Sequence, residues 1–252
     1  MKRAVSLAYG LVAYEIFVAT FVYTIFFIGN LLVPSTIDRG STSPLFTAAA
    51  IDLALLALFA AQHSIMARKG FKRVWTKVVP KHLERSTYVL AASLVLLLLL
   101  WQWRPIPRVV WEVHGALATL LSVSFWLGWI LLLASTFLIN HFELFGVQQV
   151  WGYFREQKFA PPRFRTPALY TVVRHPLYLG FVIAFWSAPR MTVGHLLFSI
   201  ACTFYILLGI YFEERDLVAE HGEAYRRYRD QVPMLVPFSK VPSATLVDQR
   251  ES

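Results

Sequence analysis

The chain has 252 residues, of which 57% are hydrophobic and only 15% charged, with a mean hydropathy of +0.52; soluble domains are nearer a quarter charged. This balance excludes a soluble enzyme and leaves little room for a separate soluble domain. A net charge of +9 would suggest nucleic acid in a soluble chain, but basic loops against an anionic membrane surface account for it here, so the expected partner is the lipid bilayer. The single cysteine, Cys202, lies inside an apolar run and can make no internal disulfide. No cysteine spacing suggests a metal site, and none is expected.

Met1-Lys2-Arg3 opens directly onto an apolar run over residues 5–33, read as a retained first helix that stops at Pro34. Residues 35–44 are polar, with Gly40, Ser41 and Pro44 as turn formers. A second run spans 45–67. The segment from Arg68 to Arg85 carries Lys69, Lys72, Arg73, Lys77 and Lys81, with Phe71 and Trp75 four apart, and is expected to lie as an amphipathic helix on the membrane surface. A third span covers about 87–103, and a fourth runs from about 113 to 140.

Residues 141–175 form the longest polar connection, broken by Pro161-Pro162 and Pro167. The fifth run, 177–188, is only about 18 Å long if helical, and the sixth is 191–212; together they suggest a tight or partly re-entrant hairpin. The end of the chain, 239–252, is expected to be a disordered tail after a single membrane domain over 1–238. The fold expected is an all-α, polytopic integral membrane helical bundle of five to six transmembrane helices. With six crossings and the N-terminus inside, only Arg39, Arg104, Arg108 and Arg190 of the 24 lysines and arginines fall outside. That asymmetry places both termini, the basic segment and the polar connection in the cytoplasm.

Polar groups gather at the helix ends on that face. Arg174-His175-Pro176-Leu177-Tyr178-Leu179-Gly180 opens the fifth run. Pro176 favours the first helical turn and pushes His175 out of helical geometry. A helix starting there would turn free N–H groups towards the water–membrane boundary, suited to a carboxylate or phosphate. Tyr178 and Gly180 then offer a ring and a gap where a flat ligand could lie. Glu213, Glu214 and Asp216 stand at the expected C-terminal end of the sixth run, where carboxylates oppose the helix dipole by up to about 1 kcal/mol each; Arg215, Arg174 or a bound ligand should compensate. Asn140-His141-Phe142-Glu143-Leu144-Phe145-Gly146 ends the fourth span, Gln62-His63 ends the second, and Arg85 to Tyr88 begins the third.

In this order, Arg174-His175-Pro176 with Tyr178 and Gly180, then Glu213-Glu214, then Gly222-Glu223-Ala224-Tyr225-Arg226-Arg227-Tyr228 resemble the isoprenylcysteine carboxyl methyltransferase superfamily over about residues 165–237. The remainder is similar to one bacterial branch, the methanethiol S-methyltransferases, through Gln62-His63-Ser64, Met66-Ala67-Arg68, Glu84-Arg85-Ser86-Thr87-Tyr88-Val89-Leu90 and the Asn140–Gly146 motif. The resemblance implies a membrane enzyme that binds S-adenosylmethionine between its helices and transfers the methyl group to methanethiol, a small thiol, giving dimethyl sulfide. It implies cofactor contacts from His175, Pro176, Tyr178, Gly180, Glu213, Glu214 and Tyr225, with Tyr205 and Trp186 as weaker aromatic candidates.

A thiol proton must leave in such a reaction, and Glu143 and His141 are the expected groups to take it; Arg174 is expected with them as a catalytic residue. His63 and Tyr88 are expected on the substrate side. A site on the cytoplasmic face of a bacterial inner membrane follows. Two other classes fit the same composition: a methyltransferase acting on an isoprenylcysteine carboxylate or a lipid, and a non-catalytic transport or assembly protein. Against the last, the ionisable groups cluster at one face and not at the midplane, where transport sites usually lie.

Overall fold

The computed structural model describes residues 1–157, 166–237 and 239. The expected disordered tail, 239–252, and the Pro161-Pro162 break therefore lie outside the described residues, Ser239 apart. In chain order the elements are α1 (Lys2–Ile28), α2 (Leu45–Ala67), α3 (Lys69–Trp75), α4 (Lys81–Gln102), β1 (Val109–Glu112), α5 (Gly115–Ile139), α6 (His141–Leu144), α7 (Val147–Arg155), α8 (Pro176–Trp186), β2 (Arg190–Thr192), α9 (Val193–His221) and α10 (Glu223–Gln231). A short 3-10 turn over Ala168–Thr171 precedes α8. Helices α1, α2, α4, α5 and α9 are long and apolar enough to cross a membrane, and α8 is a shorter apolar helix. The all-α polytopic bundle expected from the sequence is the fold observed.

Proline sets several of the starts. Pro44 and Pro80 sit in extended geometry immediately before α2 and α4, and Pro176 is the first residue of α8; its missing N–H costs nothing there. Pro80 also explains why residues 68–85 do not form one surface helix. Helix α3 stops at Trp75, a turn follows, and α4 begins at Lys81. The expected pairing of Phe71 with Trp75 is present as a stack with centroids 5.7 Å apart.

Helix α9 departs most from expectation, because it runs on to His221. Glu213 and Glu214 are thus inside a helix, not at its end, and the expected dipole penalty falls away. Asp216 pairs with Arg68 at 3.4 Å and Glu220 with Lys69 at 3.2 Å, so the basic start of α3 neutralises the acidic extension of α9.

The two short strands were not anticipated. They form an antiparallel ribbon with Val109 opposite Thr192 and Glu112 opposite Arg190, irregular between Val109 and Trp111. Val109-Val110-Trp111 are strand formers, but a four-residue run beside long apolar helices gives no period to read. The ribbon ties the α4–α5 connection to the α8–α9 connection and marks one end of the bundle. Glu214 lies about 32 Å along α9 from that end at 1.5 Å per residue, close to a bilayer's hydrocarbon thickness. Helix α8, at about 16 Å, bridges about half of this distance: His175 meets Glu214, while the Phe185 carbonyl accepts from Ser199 at 2.8 Å.

Lipid tails give helices no hydrophobic reason to associate, so close backbone packing holds such bundles together. Gly128 of α5 and Gly180 of α8 face each other so closely that a Cβ on Gly180 would lie 2.7 Å from the Gly128 carbonyl and 2.8 Å from the Leu132 nitrogen. Around this crossing, Phe27, Trp103, Phe198, Phe185 and Trp129 form a chain of edge-on ring contacts with centroids 5.1–6.2 Å apart. Because backbone and not a flexible side chain opposes Gly180, Gly180→Ala should cost about 1–3 kcal/mol of overpacking strain, read as a lowered melting temperature in detergent. An unchanged melting point would show that α8 can shift freely against α5.

Candidate active site

Arg174 and His175 enter the site where α8 begins. The Arg174 side chain is 6% exposed, and its Nε donates to Glu214 Oε1 at 2.7 Å. Its Nη1 donates to the carbonyls of Arg229 at 2.8 Å and Val232 at 2.6 Å. One guanidinium therefore joins the start of α8, the middle of α9 and the end of α10. The backbone reinforces this: the Arg174 and His175 amides donate to the Pro233 and Met234 carbonyls.

His175 is buried and donates from Nε2 to Glu214 Oε1 at 3.1 Å, while its Nδ1 lies 4.0 Å from Glu213 Oε2. The expected start of the helix at Pro176, with His175 just outside it, is observed, and no side chain among the described residues caps that end. The Glu214 side chain is 14% exposed and committed to two donors; that of Glu213 is 44% exposed and hydrogen-bonds Tyr178. Tyr225 of α10 is buried beneath this cluster, its ring 5.8 Å from that of Tyr228. Tyr228 donates to the Tyr170 carbonyl at 2.6 Å. Burial, with nearby Glu214, holds the Tyr225 hydroxyl well above its ordinary range, and burial pushes Tyr228 up to about 12. Both remain neutral near pH 7. A cavity of about 290 Å³ opens beside the cluster, against Tyr211, Glu214, Arg215, Val218 and Arg229.

Tyr178 stands between this cluster and a second one. It hydrogen-bonds Glu213 and lies within electrostatic reach of Tyr205 and Tyr88, and its ring lies 5.7 Å from that of His175. Tyr88 of α4 lies 2.8 Å from His63 Nε2 and also donates to the His63 carbonyl at 3.4 Å. His63 stacks on Phe59 at 5.4 Å, and its Nδ1 is buried without a partner among the described residues. Ser64 and Tyr205 are joined at 3.0 Å. The site thus draws on α2, α4, α8 and α9, with α10 closing one side.

Two expected features fall elsewhere. The space at Gly180 is filled by the α5 backbone, so no gap for a flat ligand exists there. Trp186 is at the far end of α8, donating to Thr203. Ser64 was not singled out in the sequence, although it directly follows His63 in the Gln62-His63-Ser64 motif, and that adjacency was the available signal.

Glu143 and His141 belong to a separate arrangement. His141 is buried, with Nδ1 2.8 Å from Thr136 Oγ1 and Nε2 2.8 Å from Tyr14 Oη. Its ring stacks on Phe137 at 4.3 Å. Glu143 accepts from Asn140 Nδ2 at 2.9 Å, and its amide is capped by Asn140 Oδ1. The turn after α6 packs on α4 at Ser86, which donates to the Gly146 carbonyl. Ser86 and Tyr88 are two apart on one helix, about 200° around it, so α4 separates this arrangement from His63.

Burial lowers the His141 pKa below its ordinary value of 6.5. The unfolded chain then binds the proton more readily, so the stability this residue contributes is present above about pH 6.5 and is lost as pH falls. The melting temperature should drop between pH 7 and pH 5, and His141→Gln should flatten part of that slope. Identical slopes in the two proteins would remove His141 from the acid response.

The model of the family described as NnrU protein matches residues 53–231. The chain is 53% identical over 240 residues to methanethiol S-methyltransferase 1 of Bradyrhizobium diazoefficiens, covering 94% of this chain and 84% of that protein. It is 52% identical over 241 residues to the methanethiol S-methyltransferase of Mycobacterium tuberculosis, covering 94% and 98%.

The chain belongs to the NnrU family, with the methanethiol S-methyltransferases.

A more distant likeness is to Nurim of Homo sapiens, 31% identical over 189 residues, 71% of this chain and 70% of that protein. No solved structure matches. The matched NnrU region runs from within α2 to the end of α10, so it contains both clusters flanking Tyr178.

Proposed function

We propose that this NnrU-family protein is an S-adenosylmethionine-dependent methyltransferase that converts methanethiol to dimethyl sulfide at the Glu214 end of the bundle. The observation that carries the proposal is the placement of Tyr178 between an acidic cluster and a buried His63–Tyr88 pair whose Nδ1 has no partner among the described residues. The names of the relatives supply the thiol; the donor set supports the cofactor. A group with a sulfonium and an ammonium fits two adjacent carboxylates, one of them still open to solvent, and its own carboxylate fits the uncapped start of α8 beside His175. The residues present therefore fit S-adenosylmethionine.

When bound, that cofactor supplies a methyl carbon already activated by its sulfonium, so the protein must align and dehydrate more than activate. In this proposal Glu213, His175, Tyr178 and the α8 N-terminus at Pro176 bind the cofactor. Glu214 fixes His175, Arg174 positions Glu214 and the tail, and Tyr225 fills the space behind them. Aromatic faces at Tyr178 and Tyr205 favour a cation.

On the acceptor side, His63 Nε2–H donates to Tyr88, and Tyr88 donates to the His63 carbonyl. That arrangement leaves Nδ1 as a lone pair able to take the thiol proton. Glu143 with His141 is the competing proposal for this step. His63 is preferred because both His141 nitrogens are engaged within the fold. The direct test incubates membranes carrying the protein with labelled S-adenosylmethionine and a panel of thiols and prenylcysteines. Labelled dimethyl sulfide is expected from methanethiol; transfer to prenylcysteine alone would replace the acceptor assignment.

The proposal also places the protein in a bacterial inner membrane with this site on the cytoplasmic face, from the charge asymmetry of the connections. A cysteine at Lys77 in a Cys202→Ala background should then be shielded from impermeant thiol reagents in intact cells and labelled only after lysis.

A further inference from the structure

A cavity of about 430 Å³ lies at the ribbon end of the bundle, opposite the proposed methyl-transfer site, and the reaction has no use for it. Its wall includes Asn30, Asp38, Arg39, Trp126, Arg190 and His195. The loop after α1 folds inward to build it. Asp38 Oδ2 accepts from Asn30 Nδ2 at 2.7 Å, and Oδ1 accepts from Thr192 Oγ1. Both oxygens are thus held by neutral donors, which fix the carboxylate without cancelling its charge. His195 is 2% exposed. Its Nε2 lies 3.0 Å from the Phe185 carbonyl and must donate to it, which leaves Nδ1 a buried acceptor with no partner among the described residues.

The cavity therefore offers two acceptors fixed by the fold, and it carries two cations. The Arg39 and Arg190 side chains are exposed residues on its wall; Arg39 is steadied by donating from Nη2 to the Asn30 carbonyl at 2.8 Å. The mouth also reaches the outer surface of α5, a membrane-crossing helix, where Trp126 is 44% exposed. Its ring therefore opens the mouth towards the flank of a helix long and apolar enough to cross the bilayer.

We propose that this cavity binds the headgroup of a phospholipid bearing a primary amine. The phosphate diester sits between Arg39 and Arg190, and the ammonium sits against Asp38 and His195 Nδ1. A primary ammonium brings three N–H donors, matching acceptors that a quaternary choline, with none, leaves unsatisfied. A glycerol headgroup brings no cation for Asp38. The open side at Trp126 makes the source a bilayer lipid and not a soluble phosphate.

The test reconstitutes the full-length protein in nanodiscs of equal parts phosphatidylethanolamine, phosphatidylcholine and phosphatidylglycerol with matched acyl chains. Native mass spectrometry then counts the lipids retained on release. Phosphatidylethanolamine should be retained preferentially, and Arg190→Gln and Asp38→Asn should each weaken that retention about tenfold or more, as expected for losing a charge-assisted hydrogen bond. Arg190 is exposed on β2, so its variant keeps the fold, which the melting temperature verifies. Equal retention of the three lipids, or an Arg190→Gln protein with undiminished preference, overturns the proposal. Excess soluble O-phosphoethanolamine should fail to displace the lipid; complete displacement would assign the cavity to a free phosphorylated amine and overturn the lipid assignment.

Discussion

Glu214→Gln is expected to destabilise the folded protein by about 3–5 kcal/mol, the range for removing one partner of a buried ion pair. Arg174 would keep only carbonyl partners at a site where its side chain is 6% exposed, and a buried guanidinium cannot shed its proton. The neighbouring substitution should behave differently. Glu213 has a half-exposed side chain, so Glu213→Gln should change stability by no more than about 0.5 kcal/mol. It should weaken S-adenosylmethionine about 10–150-fold, as for loss of a charged hydrogen bond. Chemical denaturation in detergent and calorimetry on the same two preparations separate the roles. Equal stability of Glu214→Gln and the parent would sink the idea of Arg174 as the clasp of the site. Undiminished cofactor affinity in Glu213→Gln would remove that carboxylate from the binding set.

The second large effect concerns turnover. His63→Gln should lower the rate about 10²–10⁴-fold, the usual cost of removing a general base, while cofactor affinity stays as in the parent. Tyr88→Phe should lose less, because it only frees the His63 tautomer. The deficit in His63→Gln should shrink as pH rises, since a growing share of the thiol then ionises without help. Glu143→Gln is the decisive companion. A pH-rescued loss in Glu143→Gln and not in His63→Gln would transfer the base to Glu143 and leave His63 as a packing residue on Phe59.

How far the sequence carries can be judged residue by residue. The spans were legible because apolar runs bounded by Pro44, Pro80 and Pro176 leave few choices for where a membrane helix starts. The join between Arg174-His175 and Glu213-Glu214 was legible only as motif order, since the two pairs are about 40 residues apart and no local pattern brings them together. The length of α9 was misjudged at Glu213 because its charge looked like an exit from the membrane. The helix instead continues on ion pairs to Arg68 and Lys69, which lie far away in sequence. Gly180 read as space for a ligand; only the facing glycine on α5 shows that backbone occupies it. Asn140 caps the short helix at Glu143, a pairing legible from an Asn and a Glu three residues apart.

The Arg174 clasp also imposes an order on synthesis. Its partners are carbonyls at Arg229 and Val232, with Pro233 and Met234 accepting from the adjacent backbone, and chains leave the ribosome N-terminal end first. A nascent chain that has inserted α8 and α9 carries the charge pair of Arg174 and Glu214, but nothing yet covers it. Under the proposed function, binding of the methyl donor is then withheld until translation has passed Met234, so a stalled or prematurely released chain would sit in the bilayer without consuming cofactor.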